Sequence, residues 1–513
     1  MNETQKSASK NVENLKTIVE GVRIDLIGRI FNAGIRYLYL LMLAWILGAE
    51  KMGLFFLGVV ILEFSGVFSR LGLDVGVLKY VALFEGQKDK QRIKGVINSS
   101  FLIVLLASLL IGSTVYFSAD FIANHIFFKT ELKAVLKILA ISLPFSTIAL
   151  VALSVTQAFH TLKYRVYVEF FTNPLLNIFV VLILFYLFGW QIKGVTIAYV
   201  GAFFVSATLS IIFVKQLFPD ILNGEVKPIY ETKKLFRFSA PLMFVSVLNL
   251  IIMWTDVLML GYFKTSADVG VYSAALRTAF FLNFIYISFS HLFAPRISDL
   301  YNKKRHDELA SLFKIITKWM FTLSFPLFLI IVILSKDILA IFGNAFEAGY
   351  LSLIILAVAH IINSAVGSVQ HLLMMSENEK VMMYITIIVC VLNFVLNLVL
   401  IPRLGINGAA LATAISFVLL NLIMLYQVYK KLRIHPYDTK YLKPFLLSLM
   451  GGIVLWCVKY VFLVDNLIVL LFVSFVTFVF VYYVIFVMVK GDEADYIVLN
   501  TFISTLKAKN IFK

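Results

Sequence analysis

Charge is scarce in this sequence. Only 14% of its 513 residues are Asp, Glu, Lys or Arg, where soluble domains carry about a quarter. That deficit excludes a cytosolic enzyme, a disordered chain and, despite a formal net charge of +16, a nucleic-acid reader. Cysteine is nearly absent: Cys390 and Cys457 lie inside apolar runs, which excludes a disulfide framework and leaves them as small interior residues. No G-x-x-x-x-G-K-S/T phosphate loop occurs, so ATP is not expected to act on this chain, and no other cofactor is expected. The polar opening MNETQKSASKNVENLKTIVEG lacks the basic-then-apolar layout of a secretory signal and is expected to be retained in the cytoplasm.

What the chain has instead is apolar length. Residues A, V, I, L, M, F, W, Y and C make up 61% of it and mean hydropathy is +0.93, so it reads as an all-α polytopic membrane protein. At roughly 20 residues per span, about 14 spans fit. Runs bounded by Gly, Pro and charge place a cytoplasmic N-terminus at 1–21 and a six-helix N-lobe at 22–218. A linker at 219–235, a six-helix C-lobe at 236–430, two last helices at 431–490 and a tail at 491–513 follow. The tail is expected to lie as an amphipathic helix on the inner leaflet. Basic residues concentrate in alternate loops, among them Lys88, Lys90, Arg92 and Lys94, then Lys227, Lys233, Lys234 and Arg237. Retained Lys and Arg mark the cytoplasmic side, so the protein is expected in the cell membrane with both termini on the cytoplasmic side and membrane lipid headgroups as contacts. Pro144, Pro241 and Pro326 fall within or near the starts of spans four, seven and nine, where proline permits a bend.

The two six-span sets read as copies. Gly53 in LGAEKMGLF corresponds to Gly270 in TSADVGVY, Lys163 to Lys380, Asn177 to Asn393, and GVTIAYVGAF from Gly194 to GAALATAISF from Gly408. All four separations are about 215 residues. An even span number gives both copies one orientation, hence a pseudo-two-fold axis along the membrane normal.

Three stretches, FSRLGLDVGVLKYVA (68–82), SAPLMFVSVLNLIIMWTDVLMLGYF with ADVGVYSAALR after it (239–277), and LIPRLGINGAALATAIS (400–416), resemble oligosaccharide flippases. These are the polysaccharide-transport branch of the multidrug, oligosaccharidyl-lipid and polysaccharide exporter superfamily, and the resemblance covers nearly the whole chain. It implies two six-helix lobes around a V-shaped cavity, a polar or cationic lumen for a pyrophosphate-sugar head, and alternating access. The implied substrate is a lipid-linked (polyprenyl-pyrophosphate) oligosaccharide, with H⁺ or Na⁺ and glycan-assembly enzymes as further partners and no nucleic acid. A cation-coupled multidrug exporter of the same superfamily and a lipid II flippase are the alternatives. A membrane glycosyltransferase would need a large outside catalytic loop, and the longest here, near 119–133 and 337–349, are about 15 residues.

Ionisable residues within spans cost about 3 kcal/mol or more each and are functional candidates by default. The first span carries Asp25, Arg29 and Arg36; the second carries Glu63 and Arg70, with Asp74 at its cytoplasmic end. Spacings of four and seven put each set on one helix face. Counted inward from an antiparallel turn, Arg36 is level with Glu63, Arg29 with Arg70 and Asp25 with Asp74; Asp256 on span seven is likewise level with Arg277 on span eight. Arg29, Arg36, Arg70 and Arg277 are the candidate substrate-binding residues, because a guanidinium engages pyrophosphate bidentately. Asp25, Glu63, Asp74 and Asp256 are candidates for ion coupling or for structural ion pairs with those arginines. His291, His360 and His371 read as hydrogen-bonded interior residues rather than proton relays.

Overall fold

The computed structural model describes residues 3–221, 226–376, 378–437, 442–460 and 466–489. The tail at 491–513 lies outside the described residues, as do the side chains of residues 3–30. The chain forms two compact units, Met1–Trp254 and Thr255–Lys513. The first contains α1 (Glu3–Arg70), α2 (Leu73–Gly86), α3 (Lys90–Phe121), α4 (Leu132–Ile141), α5 (Leu143–Ala158), the short α6 (Lys163–Arg165) running through a π-helical turn into α7 (Asn173–Phe188), and α8 (Ile192–Leu217). Next, α9 (Thr232–Phe263) carries residues of both units. The second unit continues with α10 (Ser266–Asn302), α11 (His306–Ile333), α12 (Ser335–Ala340), α13 (Tyr350–Val366), α14 (Val369–Met375), α15 (Glu379–Leu404), α16 (Ile406–Leu432), α17 (Leu442–Tyr460) and α18 (Leu467–Val489).

Among the described residues ten helices are long and apolar enough to cross a membrane, or eleven with α4 and α5 taken as one span bent by 43°. Within α1, Gly48 adopts φ 67 and ψ 177 and separates two helices, and α17 and α18 supply two shorter apolar helices. The bend between α4 and α5 falls just before Pro144, whose missing N–H leaves no bond to break there. Helices α9 and α11 run through Pro241 and Pro326 without ending.

Small residues decide the packing. Gly194, Ala198, Ala202, Ser206 and Ser210 recur every fourth residue on α8 and are all buried, and Gly408, Ala412 and Ser416 do the same on α16. This stripe lets α5 and α7 approach α8, and α13 and α15 approach α16, as expected where hydrocarbon outside removes any hydrophobic drive and close packing must hold helices together. Other residues of α8 face outward: Phe204, Ile211 and Ile212 are exposed. Each unit also ties its first turn to a later one. Lys51, just past the Gly48 break, bonds Gln191 Oε1, and Lys264, just past α9, donates to the Pro402 carbonyl at 3.0 Å.

The expected second span, which carries Glu63 and Arg70, does not run on unbroken to Asp74. Leu71 (φ 53) and Gly72 (φ 72) turn the chain, so α1 stops at Arg70 and α2 begins at Leu73. A Cβ on Gly72 would sit 2.2 Å from the Ser239 carbonyl of α9, and its left-handed φ is one that glycine adopts without strain. Gly72→Ala is therefore expected to lower stability by about 1–3 kcal/mol, read as an earlier thermal midpoint of the purified protein. An unchanged midpoint would mean that α9 yields at this contact.

Candidate functional site

In the first unit, intramembrane charges gather around one tyrosine. Tyr199 on α8 lies within electrostatic reach of Glu63, Tyr39 and Arg36. A continuous helix would separate Arg36 from Glu63 by about 40 Å, so the Gly48 break folds the halves of α1 back and brings both residues to one level. Arg36 is exposed and donates Nε to Asn32 Oδ1, one turn earlier, at 3.0 Å. Among the described residues no ion pair joins Arg36 to the half-buried Glu63. The guanidinium is thus aimed by an amide and not quenched by a carboxylate, which leaves most of its donors for an anion.

The other levels differ from the count along the hairpin. Asp74 sits on α2 and reaches back to Arg70, Oδ2 to Nε 3.8 Å, because the chain turn at Leu71 and Gly72 removes it from the face of the second span. Asp25 and Arg29 fall on α1, and their side chains lie outside the described residues. Sequence reasoning missed Tyr39 and Tyr199, which carry no charge to set them apart among 23 tyrosines.

In the second unit the expected pair of Asp256 and Arg277 is replaced by a different arrangement. Asp256 is 3% exposed. Its Oδ2 accepts from the Tyr272 hydroxyl and from Thr413 Oγ1 at 3.4 Å, and its Oδ1 accepts from the Val257 amide at 2.8 Å. Arg277 donates Nη1 to the Ser273 carbonyl at 3.4 Å, one turn back on its own helix. Level position does not make a pair: the Asp256 carboxylate turns toward α10 and α16 hydroxyls, whereas Arg277 lies five residues beyond Tyr272 on α10. A buried carboxylate met only by neutral donors has no charged partner, so a cation entering beside it would meet an uncompensated negative charge. Asp256, Tyr272 and Thr413 are the oxygen ligands that could hold one.

His360 also differs from the expectation of a hydrogen-bonded interior residue at its Nδ1. His360 is buried between the rings of Phe280 and Phe417, centroids 6.0 and 5.6 Å away, and its Nδ1 has no hydrogen-bond partner among the described residues. The side chain of His291 lies outside the described residues. The helix breaks to a π turn at Val166–Thr172, beside which Arg165 bonds Glu169 Oε2 at 2.7 Å and Gln157 Oε1 at 3.0 Å. Asparagines follow at turn spacing: Asn177 donates to Asn173 on α7, and Asn397 to Asn393 on α15. Among the described residues no group of three His, Cys, Asp or Glu is arranged around a metal.

Carboxylates and guanidinium groups held within helices of membrane length, in two units of similar plan, define a multi-pass membrane protein of the transporter class. Residues 18–301 match the family described as polysaccharide biosynthesis protein, and residues 241–399 match the MatE family. The first match spans more than half of the chain, which therefore belongs to the polysaccharide biosynthesis protein family. The chain is similar to a probable low-salt glycan biosynthesis flippase of Haloferax volcanii, 28% identical over 417 residues, 76% of this chain and 79% of the relative. A probable flippase of the same organism is 28% identical over 172 residues, 32% of this chain and 36% of that protein. Among solved structures, the lipid II flippase MurJ in an inward closed conformation superposes with a TM-score of 0.71 at 17% identity, covering 90% of this chain and 98% of that one. An inward-facing multidrug resistance MATE family transporter gives 0.63 at 15%, covering 78% and 94%. These structures establish the two-lobed helical fold.

Proposed function

We propose that this protein flips a lipid-linked (polyprenyl-pyrophosphate) oligosaccharide from the cytoplasmic to the outer leaflet by alternating access, for the synthesis of a surface polysaccharide or glycan. The observation that carries the reading is Arg36, a guanidinium at membrane depth oriented by Asn32 and free of any described carboxylate pair. A group so costly to place in a span is retained for an anionic ligand, and pyrophosphate supplies one. Family membership and the flippase relatives support the same reading. The match to the MatE family and the hydroxyl-ringed Asp256 support a coupling step in which H⁺ or Na⁺ occupies that carboxylate during the cycle. Both termini and the 219–235 linker are read as cytoplasmic from their basic loops, and glycan-assembly enzymes are the natural partners.

Deleting the protein is expected to make cytoplasm-facing lipid-linked glycan accumulate while resistance to cationic drugs stays unchanged. Extraction of the lipid-linked pool, together with drug-susceptibility assays, reads both. Drug hypersensitivity with a normal glycan pool would favour a cation-coupled exporter instead.

A further inference from the structure

The internal repeat can be followed residue by residue into the two sites. At the separation that relates Gly53 to Gly270, Tyr39 takes the place of Asp256 and Phe55 that of Tyr272. At the separation that relates Gly194 to Gly408, Tyr199 takes the place of Thr413. The structure brings the same three positions together in both units. Tyr272 and Thr413 bond Asp256 in the second; in the first, the Phe55 and Tyr199 rings meet edge to face at 5.9 Å, with Tyr39 within electrostatic reach of Tyr199. The two copies thus hold different chemistry at matched positions. The second copy keeps a carboxylate ringed by hydroxyls. The first has exchanged it for a phenol and gained Arg36 and Glu63, whose counterparts in the second copy are Met253 and Phe280.

That exchange changes the ligand the position suits. Arg36 excludes a bare cation and can take the pyrophosphate, while Glu63 near it disfavours a second anion by like charge. Two phenols and a carboxylate set among aromatic rings match a polyhydroxylated ring, whose C–H faces pack on aromatic side chains while its hydroxyls both donate and accept. The Tyr39 hydroxyl has no partner among the described residues, which leaves one buried donor waiting for an acceptor. We propose that Tyr39, Tyr199 and Glu63, next to the pyrophosphate-binding Arg36, form a saccharide subsite, which receives a sugar of the lipid-linked chain and makes the first unit the sugar-reading half of the protein. This inference rests on the flippase reading and adds to it which residues sense the sugar itself.

The test compares binding of polyprenyl pyrophosphate bearing one N-acetylhexosamine with binding of the same lipid without sugar, using the purified full chain and tryptophan fluorescence. The wild type is expected to prefer the glycosylated probe. Tyr39→Phe and Tyr199→Phe should each reduce that preference by about three- to tenfold, the range of a neutral hydrogen bond, with affinity for the bare lipid retained. Tyr186→Phe, on the exposed face of α7, should keep the preference and serves as the control for folding and detergent effects. Full preference in both tyrosine variants, or a wild type that binds the two probes equally, would overturn the saccharide subsite alone. A wild type that binds neither probe would overturn the flippase reading and the subsite with it.

Discussion

Arg36→Lys is expected to abolish most glycan export, by tenfold or more, while membrane abundance stays near that of the wild type. Lysine keeps the charge but replaces a planar fork by a point donor, so it forfeits the bidentate grip that suits a pyrophosphate. It also loses the Nε contact that Asn32 uses to aim the side chain at 3.0 Å. Folding should tolerate the change, since no described carboxylate depends on Arg36 and its side chain is exposed. A structural arginine would behave in the opposite way, with Lys tolerated and Ala depleting folded protein because a buried partner is left uncompensated, at about 3–5 kcal/mol. Arg70 is the internal comparison. It is 13% exposed and paired with Asp74, so Arg70→Ala should lower abundance as well as export, and Asp74→Ala should restore part of the abundance. Surface glycan measured beside membrane abundance separates the two behaviours. Normal export in Arg36→Lys and Arg36→Ala would remove Arg36 from the substrate path.

The helices and the repeat were legible because both are written in patterns that membrane burial enforces. A span requires an apolar run, and a stripe such as Gly194, Ala198, Ala202 and Ser206 can be read from spacing alone. Gly48 was also legible as the turn between two spans, since a left-handed residue is needed where α1 folds back. What escaped was decided by local turns and by side-chain direction. Leu71 adopts φ 53, which no composition rule flags in a leucine, and that turn carried Asp74 off the face it was expected to share. The level count for Asp256 and Arg277 located both residues along their helices but not the direction of either. Asp256 found hydroxyls on α10 and α16, one of which, Thr413, lies far along the chain. Tyr39 and Tyr199 were legible only in comparison: alone each is one aromatic among many, but aligned with Asp256 and Thr413 each marks a site that has changed chemistry.

Asp256→Asn is expected to uncouple the protein, removing any response of flipping to an imposed Na⁺ or pH gradient and reducing transport at least tenfold. The amide is nearly isosteric and can still accept from the Tyr272 and Thr413 hydroxyls through its oxygen, losing only the Val257 N–H bond that the second carboxylate oxygen accepts, a cost of about 1–3 kcal/mol that folding should survive. It cannot carry the negative charge that a proton or cation neutralises, so the site is held in one state of the cycle. Asp256→Ala differs, because it leaves the buried Tyr272 hydroxyl without its acceptor, and a buried donor unmade costs about 1–3 kcal/mol; Tyr272→Phe in the same chain removes that donor and should recover much of the loss. Arg277→Ala should not be rescued by Asp256→Ala, since Asp256 answers to Tyr272, Thr413 and Val257 rather than to Arg277. Proteoliposomes holding the full chain and a lipid-linked oligosaccharide, driven by each gradient in turn, read the coupling, and thermal midpoints read the stability. Gradient-dependent flipping in Asp256→Asn would show that the cation acts elsewhere, and rescue of Arg277→Ala would restore the pairing that the hydroxyl contacts replace.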